Sequence, residues 1–172
     1  MAEVIALNEF RVQAADFIRD AIDSGDACPA YGAILPPSLY ERAMHWQRFC
    51  FEKNWAGVHW PIQYGGMGLN PPHNVVWHEE CAVAEVAPYL NLQGLVLAGE
   101  AILRSGTEEQ KERFLRPTLR NEILWCQLFS EPGAGSDLAG LQTSAVSLSL
   151  IHISEPTRLL SISYAVLCVK KK

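Results

Sequence analysis

The chain has 172 residues, 49% of them hydrophobic and 19% charged, with 14 Lys and Arg against 19 Asp and Glu. That is room for one domain, or one and part of another, around a sizeable core, and it excludes a mostly disordered, collagen-like or mucin-like chain. A net charge of -5 leaves no electrostatic footprint for nucleic acid or anionic lipid.

A membrane span needs about 18 or more apolar residues with few charges. The most apolar runs are interrupted by Glu100, Arg104, Glu155 and Arg158, so no span is predicted. Met1-Ala2-Glu3-Val4 lacks the basic and apolar regions of a secretory signal. The five cysteines, Cys28, Cys50, Cys81, Cys126 and Cys168, are odd in number and nowhere form Cys-x-x-Cys. Neither a disulfide framework nor a zinc site is indicated, and a cytoplasmic, reducing compartment is expected.

The first 120 residues read as helical. Phe10, Ala14, Phe17, Ile18 and Ala21 recur at helical spacing and predict a helix over 5–24, closed by Gly25 and Pro29. After Pro36-Pro37, with Ser38 as the cap, Leu39, Ala43, Trp46 and Cys50 predict a second helix ending near Asn54. The stretch 57–72 is too rich in Gly and Pro for helix or central strand and predicts a loop, packed down by Trp60 and Tyr64.

A third helix is predicted through His78 to Ala87. A fourth carries Leu92, Leu95, Val96, Gly99, Ile102 and Leu103 on one apolar stripe. Thr107 with Gln110 forms a capping box, Glu108 and Glu109 suit the positive end of a helix dipole, and a fifth helix runs on to about Leu119. The period then changes. Ile123–Phe129 is a compact apolar run bounded by Arg120-Asn121 and Ser130-Glu131-Pro132-Gly133, and predicts a buried strand opening a second, β-rich domain near residue 122.

Several motifs fail on inspection. His78-Glu79 begins like a zinc-protease helix, but the second His position holds Ala82, which leaves His78 a solvated or packing role. Gly66-Met67-Gly68 and Gly133-Ala134-Gly135 begin like dinucleotide fingerprints, yet the third glycine positions hold Pro71 and Leu138. No Gly-Lys-Ser or Gly-Lys-Thr occurs, so there is no P-loop.

What remains is Gln127-Leu128-Phe129-Ser130-Glu131-Pro132-Gly133-Ala134-Gly135-Ser136-Asp137. A strand end delivers the Ser130 hydroxyl, Pro132 stiffens the exit, and the glycines let backbone N–H groups approach a flat or anionic ligand. An ordinary strand-to-loop turn, with Asp137 capping the next segment, explains the same residues equally well.

The string Phe129 to Asp137, with Thr143 and Ala145 beyond it, closely resembles the first signature of the acyl-CoA dehydrogenase family. Trp60-Pro61-x-x-Tyr64-Gly65-Gly66-x-Gly68 resembles that family's loop between early helices, and Gly106-Thr107-Glu108-Glu109-Gln110-Lys111 resembles the start of the helix before its β-domain. The resemblance spans most of residues 1–146. It implies an α+β protein: an all-α N-terminal domain over 1–121, the start of a truncated β-barrel-like middle domain over 122–146, and a C-terminal helical bundle.

The resemblance further implies FAD as cofactor and removal of two hydrogens across the α and β carbons of an acyl-CoA thioester. By the same likeness, Gln127, Leu128, Phe129 and Ser130 would lie against the flavin, while Gly135 and Ser136 complete the turn over it and Ser136 also lies near the CoA. The helix around Leu92–Gly99 would help line the acyl pocket, although core packing is the preferred reading of its stripe. The family's base is a carboxylate of the C-terminal bundle, so no catalytic residue is assigned in this chain and the truncated chain is expected to be inactive alone. Implied partners are the acyl-CoA substrate, an electron-transfer flavoprotein or other acceptor, and further subunits of a homo- or hetero-oligomer. A fold-related flavin monooxygenase or oxidase, or a non-catalytic helical binding module, are the alternatives.

The family pattern stops after Val146. Leu148-Ser149-Leu150-Ile151-His152-Ile153-Ser154-Glu155-Pro156-Thr157-Arg158, then Ile162 to Val166 and Lys170-Lys171-Lys172, resemble translated sequencing-adapter read-through. Residues 147–172 are therefore expected to be an artefactual, disordered tail.

Overall fold

The computed structural model describes residues 5–127 and Ser136, and the chain divides into two compact units after Leu124. The first unit is helical. Helices α1 (Leu7–Ser24), α2 (Tyr40–Glu52), α3 (Pro71–Val83), α4 (Gly99–Ser105) and α5 (Glu108–Leu119) carry it, with short 3₁₀ turns at Pro37–Leu39 and Ile62–Tyr64. A π-helical stretch, Gln93–Ala98, runs directly into α4.

The helical spacing read from the sequence is the spacing that buries. On α1, Phe10, Ala14, Ile18 and Ala21 are sealed from solvent, and Gly25, in the left-handed conformation at φ 84°, ends the helix. Helix α1 packs along α3, whose Val76, Trp77 and Cys81 face the core. Arg11 adds an ion pair to Glu79 at 2.6 Å and another to Glu80. Ala43, Trp46 and Cys50 of α2 and Leu115 and Leu119 of α5 complete the same core.

Aromatic rings form its spine. Phe17 stacks on Trp55 at 4.8 Å, Trp55 on Trp77 at 5.4 Å, and Trp77 on Tyr89 at 5.8 Å between centroids. The Tyr89 hydroxyl donates to the Trp55 carbonyl at 2.5 Å, and the Trp46 Nε1 donates to the Ala87 carbonyl at 2.6 Å. The Trp46 indole and the Tyr89 phenol thus find the partners that burial demands, whereas the buried Nε1 of Trp60 and of Trp77 have none among the described residues.

Four expectations need correction. Ser38 does not cap α2: it lies inside the 3₁₀ turn that leads into the helix, and the N-cap position is Leu39, with no side-chain bond. Helix α3 stops at Val83 rather than Ala87, because Glu85 turns left-handed at φ 55° and the chain then runs extended to pair Val86 with Pro29. That lone bridge uses Ala30 N–H to Glu85 O at 2.7 Å and Ala87 N–H to Cys28 O at 2.9 Å.

The fourth helix is not uniform, since the π turn breaks its stripe. Leu95 and Gly99 are buried, but Leu92, Val96 and Leu97 are exposed at 38%, 52% and 43%. One extra residue per turn rotates the later side chains out of the α register, so a 3.6-residue stripe cannot stay on one face. Finally, residues 123–127 of the predicted strand are not in a strand, and no strand occurs among the described residues. Ile123 instead turns back on α5, its N–H donating to Pro117 O at 3.3 Å and its carbonyl accepting from Asn91 Nδ2 at 2.7 Å. Leu128 and Phe129, the remainder of 128–146, and the tail from 147 lie outside the described residues, Ser136 excepted.

Candidate functional site

The loop between α2 and α3 is built around Trp60. Its backbone closes on itself: Trp60 N–H donates to Gly57 O at 2.9 Å, Gly68 N–H to Trp60 O at 2.8 Å and Leu69 N–H to Val58 O at 3.1 Å. Gly66 permits this because a Cβ there would lie 2.3 Å from the Trp60 carbonyl oxygen. Trp60 is fully buried and Tyr64 nearly so, as the sequence predicted for this loop.

Two polar contacts fasten the loop to α4 and α5. The Tyr64 hydroxyl donates to Glu108 Oε2 at 2.7 Å, beside the capping box in which Thr107 Oγ1 accepts from Gln110 N–H at 3.2 Å and Gln110 Oε1 accepts from Thr107 N–H at 2.9 Å. Lys111 and Tyr64 bond Glu108 and hold its carboxyl below the usual range. His59 Nε2 meets Glu100 Oε1 at 2.6 Å, across to the start of α4. The buried His59 Nδ1 has no hydrogen-bond partner.

The Trp60 indole forms the floor of the π turn. At Gly99 a Cβ would sit 2.1 Å from Trp60 Cζ2 and 2.7 Å from the Gly94 carbonyl oxygen, so only glycine lets the helix descend onto the ring. The result is a turn seated from below by Trp60 and presenting Leu92, Val96 and Leu97 outward. A π turn of this kind is common where a helix serves a site.

Of the residues assigned from sequence to flavin contact, Gln127 is exposed and irregular, and Ser136 is exposed in a bend. Leu128, Phe129, Ser130 and Gly135 lie outside the described residues. A shallow cleft of ≈ 380 Å³ lies between the loop and α5, lined by Gln63, Tyr64, Glu108, Lys111, Glu112 and Arg116. Lys111 pairs there with Glu108 at 2.8 Å, and Arg116 donates to the Gln63 carbonyl at 3.4 Å. Of the assigned residues that are described, neither Gln127 nor Ser136 lines that cleft.

Sequence reasoning missed a buried polar cluster. Gln47 is fully buried on α2, and Asn91, Thr118 and Asn121 are buried with it. One signal was present: Gln47 is a polar residue on the apolar face defined by Ala43, Trp46 and Cys50. His78, set aside as a metal ligand, lies edge-on to Tyr89 at 6.2 Å, and burial, with a smaller contribution from His59, holds it below the usual imidazole range.

Residues 7–122 match the family described as acyl-CoA dehydrogenase, N-terminal domain. An acyl-CoA dehydrogenase of Mycolicibacterium smegmatis, IpdE1, is 34% identical over 145 residues, which are 83% of this chain and 37% of that protein. FadE34 of Mycobacterium tuberculosis, also an acyl-CoA dehydrogenase, is 50% identical over 91 residues, 51% of this chain and 12% of that protein. Among solved structures, a steroid ACAD, the Tcur3481-Tcur3483 G363A variant, superposes with TM-score 0.61 at 26% identity, covering 82% of this chain and 36% of that one. The chain thus spans little more than a third of IpdE1 and of that structure, and with the family's N-terminal domain matched over residues 7–122 it belongs to the acyl-CoA dehydrogenase family.

Proposed function

We propose that the chain is the N-terminal part of an FAD-dependent oxidoreductase that introduces an α,β double bond into an acyl-CoA thioester. One observation carries this: the family's N-terminal domain over 7–122 leads directly to the Ser-Glu-Pro-Gly-Ala-Gly-Ser-Asp string of 130–137. The exposure of Gln127 and Ser136 supports a role in which both meet a ligand rather than a core.

When bound, FAD supplies the acceptor for the β-hydride. In this reading the backbone of Gln127, Leu128, Phe129 and Ser130 holds the flavin ring and the Ser130 hydroxyl hydrogen-bonds it. Gly135 lets the turn approach the cofactor, and Ser136 binds near the CoA portion. Leu92, Val96 and Leu97, which do not serve the core, offer an apolar wall for the acyl group. The base is a carboxylate of the family's C-terminal bundle, so none is assigned among the Glu and Asp of this chain. An acyl-CoA with a steroid ring is the first substrate to test, after the steroid ACAD above, and an electron-transfer flavoprotein is the acceptor.

The test is anaerobic bleaching of the flavin in the protein carrying this chain continued through the remaining family domains. Acyl-CoA should bleach it. Loss of the Ser130 hydroxyl in Ser130→Ala removes one neutral hydrogen bond, worth about 0.5–1.5 kcal/mol, so bleaching should slow about two- to twelve-fold. Gly135→Val should also reduce flavin content, since a β-branched side chain intrudes where backbone and cofactor meet. Wild-type flavin content and bleaching in both variants would show that the loop is only a turn. The 172-residue chain alone should purify without stoichiometric flavin.

A further inference from the structure

Helix termini leave the last four carbonyls without an intrahelical donor, and α5 ends in the interior, with Thr118 1% and Leu119 0% exposed. Gln47, from the middle of α2, reaches both: its Nε2 donates to Thr118 O at 3.1 Å and to Leu119 O at 3.3 Å. Its Oε1 accepts the Asn91 backbone N–H at 2.9 Å. Asn91 then donates its Nδ2 to Ile123 O at 2.7 Å and to Thr118 O at 3.4 Å, while its own carbonyl accepts the Leu95 N–H at 2.9 Å.

Two side-chain amides therefore fix three places at once. The first is the last turn of α5. The second is the residue from which the π turn takes its phase. The third is the Ile123 carbonyl, four residues before Gln127. The two ends of this chain of bonds are far apart in sequence, and the amides bridging them are buried, where a polar group is retained only with its partners in place.

We propose that Gln47 and Asn91 are positioning residues, a buried amide pair that sets the π turn and the exit at Ile123 in one register. Resting on the function proposed above, the pair holds both the turn that bears Leu92, Val96 and Leu97 and the backbone at Ile123 from which the chain runs on to Gln127. Both residues act through others. The amide is required because it must donate and accept simultaneously, which no apolar side chain of the same volume can do.

Gln47→Met keeps the volume and removes the bridge, and Asn91→Ala removes the donor to Ile123 while leaving the backbone bond. In the 172-residue chain, Gln47→Met should raise hydrogen exchange about tenfold or more at both 92–98 and 122–124, and Asn91→Ala at 122–124, while α1 keeps its protection. In the protein carrying all family domains, FAD should bind about two- to thirty-fold more weakly, with an altered visible circular dichroism of the bound flavin. A rise confined to one of the two segments in Gln47→Met, no rise at 122–124 in Asn91→Ala, a loss spread through α1, unchanged flavin affinity and spectrum, or failure of both variants to fold would each overturn the proposal. If the wild-type protein holds no flavin, the proposed function fails, and the exchange pattern alone decides whether the pair holds its two segments together.

Discussion

Gly99→Ala adds one methyl group where the structure has no room for it. The new Cβ would meet Trp60 Cζ2 at 2.1 Å and Cη2 at 2.4 Å, against an ordinary carbon contact of about 3.5 Å. The ring or the helix must move by about 1.4 Å, and Trp60 is fully buried. Overpacking a tight core costs about 1–3 kcal/mol, and a shift this large belongs at the upper end. Alanine recovers about 1 kcal/mol of helix propensity, leaving a net loss of about 2 kcal/mol. At about 4 °C per kcal/mol, Tm should fall by about 8 °C in thermal denaturation followed by circular dichroism. Gly32→Ala is the control, because nothing lies within 4 Å of its added methyl group. The loss at Gly99 should shrink in a Trp60→Phe background, which removes the colliding atoms. A Gly99→Ala protein as stable as wild type would refute the seating of the π turn on the Trp60 ring.

Further outcomes are expected at other sites. Thr107→Ala removes the capping box and should cost about 1 kcal/mol in urea unfolding, and an unchanged midpoint would contradict the bond to Gln110. Burial holds His78 below 6.5, so the unfolded chain binds the extra proton. Its contribution is present above that pH and lost below it, and wild type should lose more stability between about pH 7 and pH 5 than His78→Gln. Ser24 and His45 likewise hold Asp26 below 3.8, a contribution present above that pH and lost beneath it, so Asp26→Asn should flatten the acid limb. Iodoacetamide on the native chain should label the exposed Cys126 and spare Cys28, Cys50 and Cys81, as read by peptide mass mapping. Resequencing of the locus should diverge from this chain near residue 147.

The helices were legible wherever burial and period coincide. Phe10, Ala14, Ile18 and Ala21 face a core because α1 is an unbroken α-helix, and Thr107 with Gln110 is a local motif that no distant contact can override. The π turn was not legible, since the contact that accompanies it is tertiary: Gly99 meets Trp60, some forty residues earlier in the chain. Ser38 was misread for a related reason, because two prolines before it favour a 3₁₀ entry over a capped start. Gln47 looked like an isolated polar residue in sequence, because its partners at Asn91, Thr118 and Leu119 are joined to it only by folding. The family signature over 129–137 was read from residue identity, which needs no contacts at all.

The π turn also governs which edits of chain length the domain can absorb. Its phase is pinned at Asn91 and again at Gly99, so the number of residues between those two points is a fitted quantity. An α-helix advances about 100° per residue, and adding a residue outside the turn would swing Gly99 off the Trp60 ring. Removing one residue from Gln93–Ala98 is the opposite case: the wide turn closes to an ordinary one and both anchors keep their places. A relative whose corresponding helix is regular throughout should therefore be one residue shorter here.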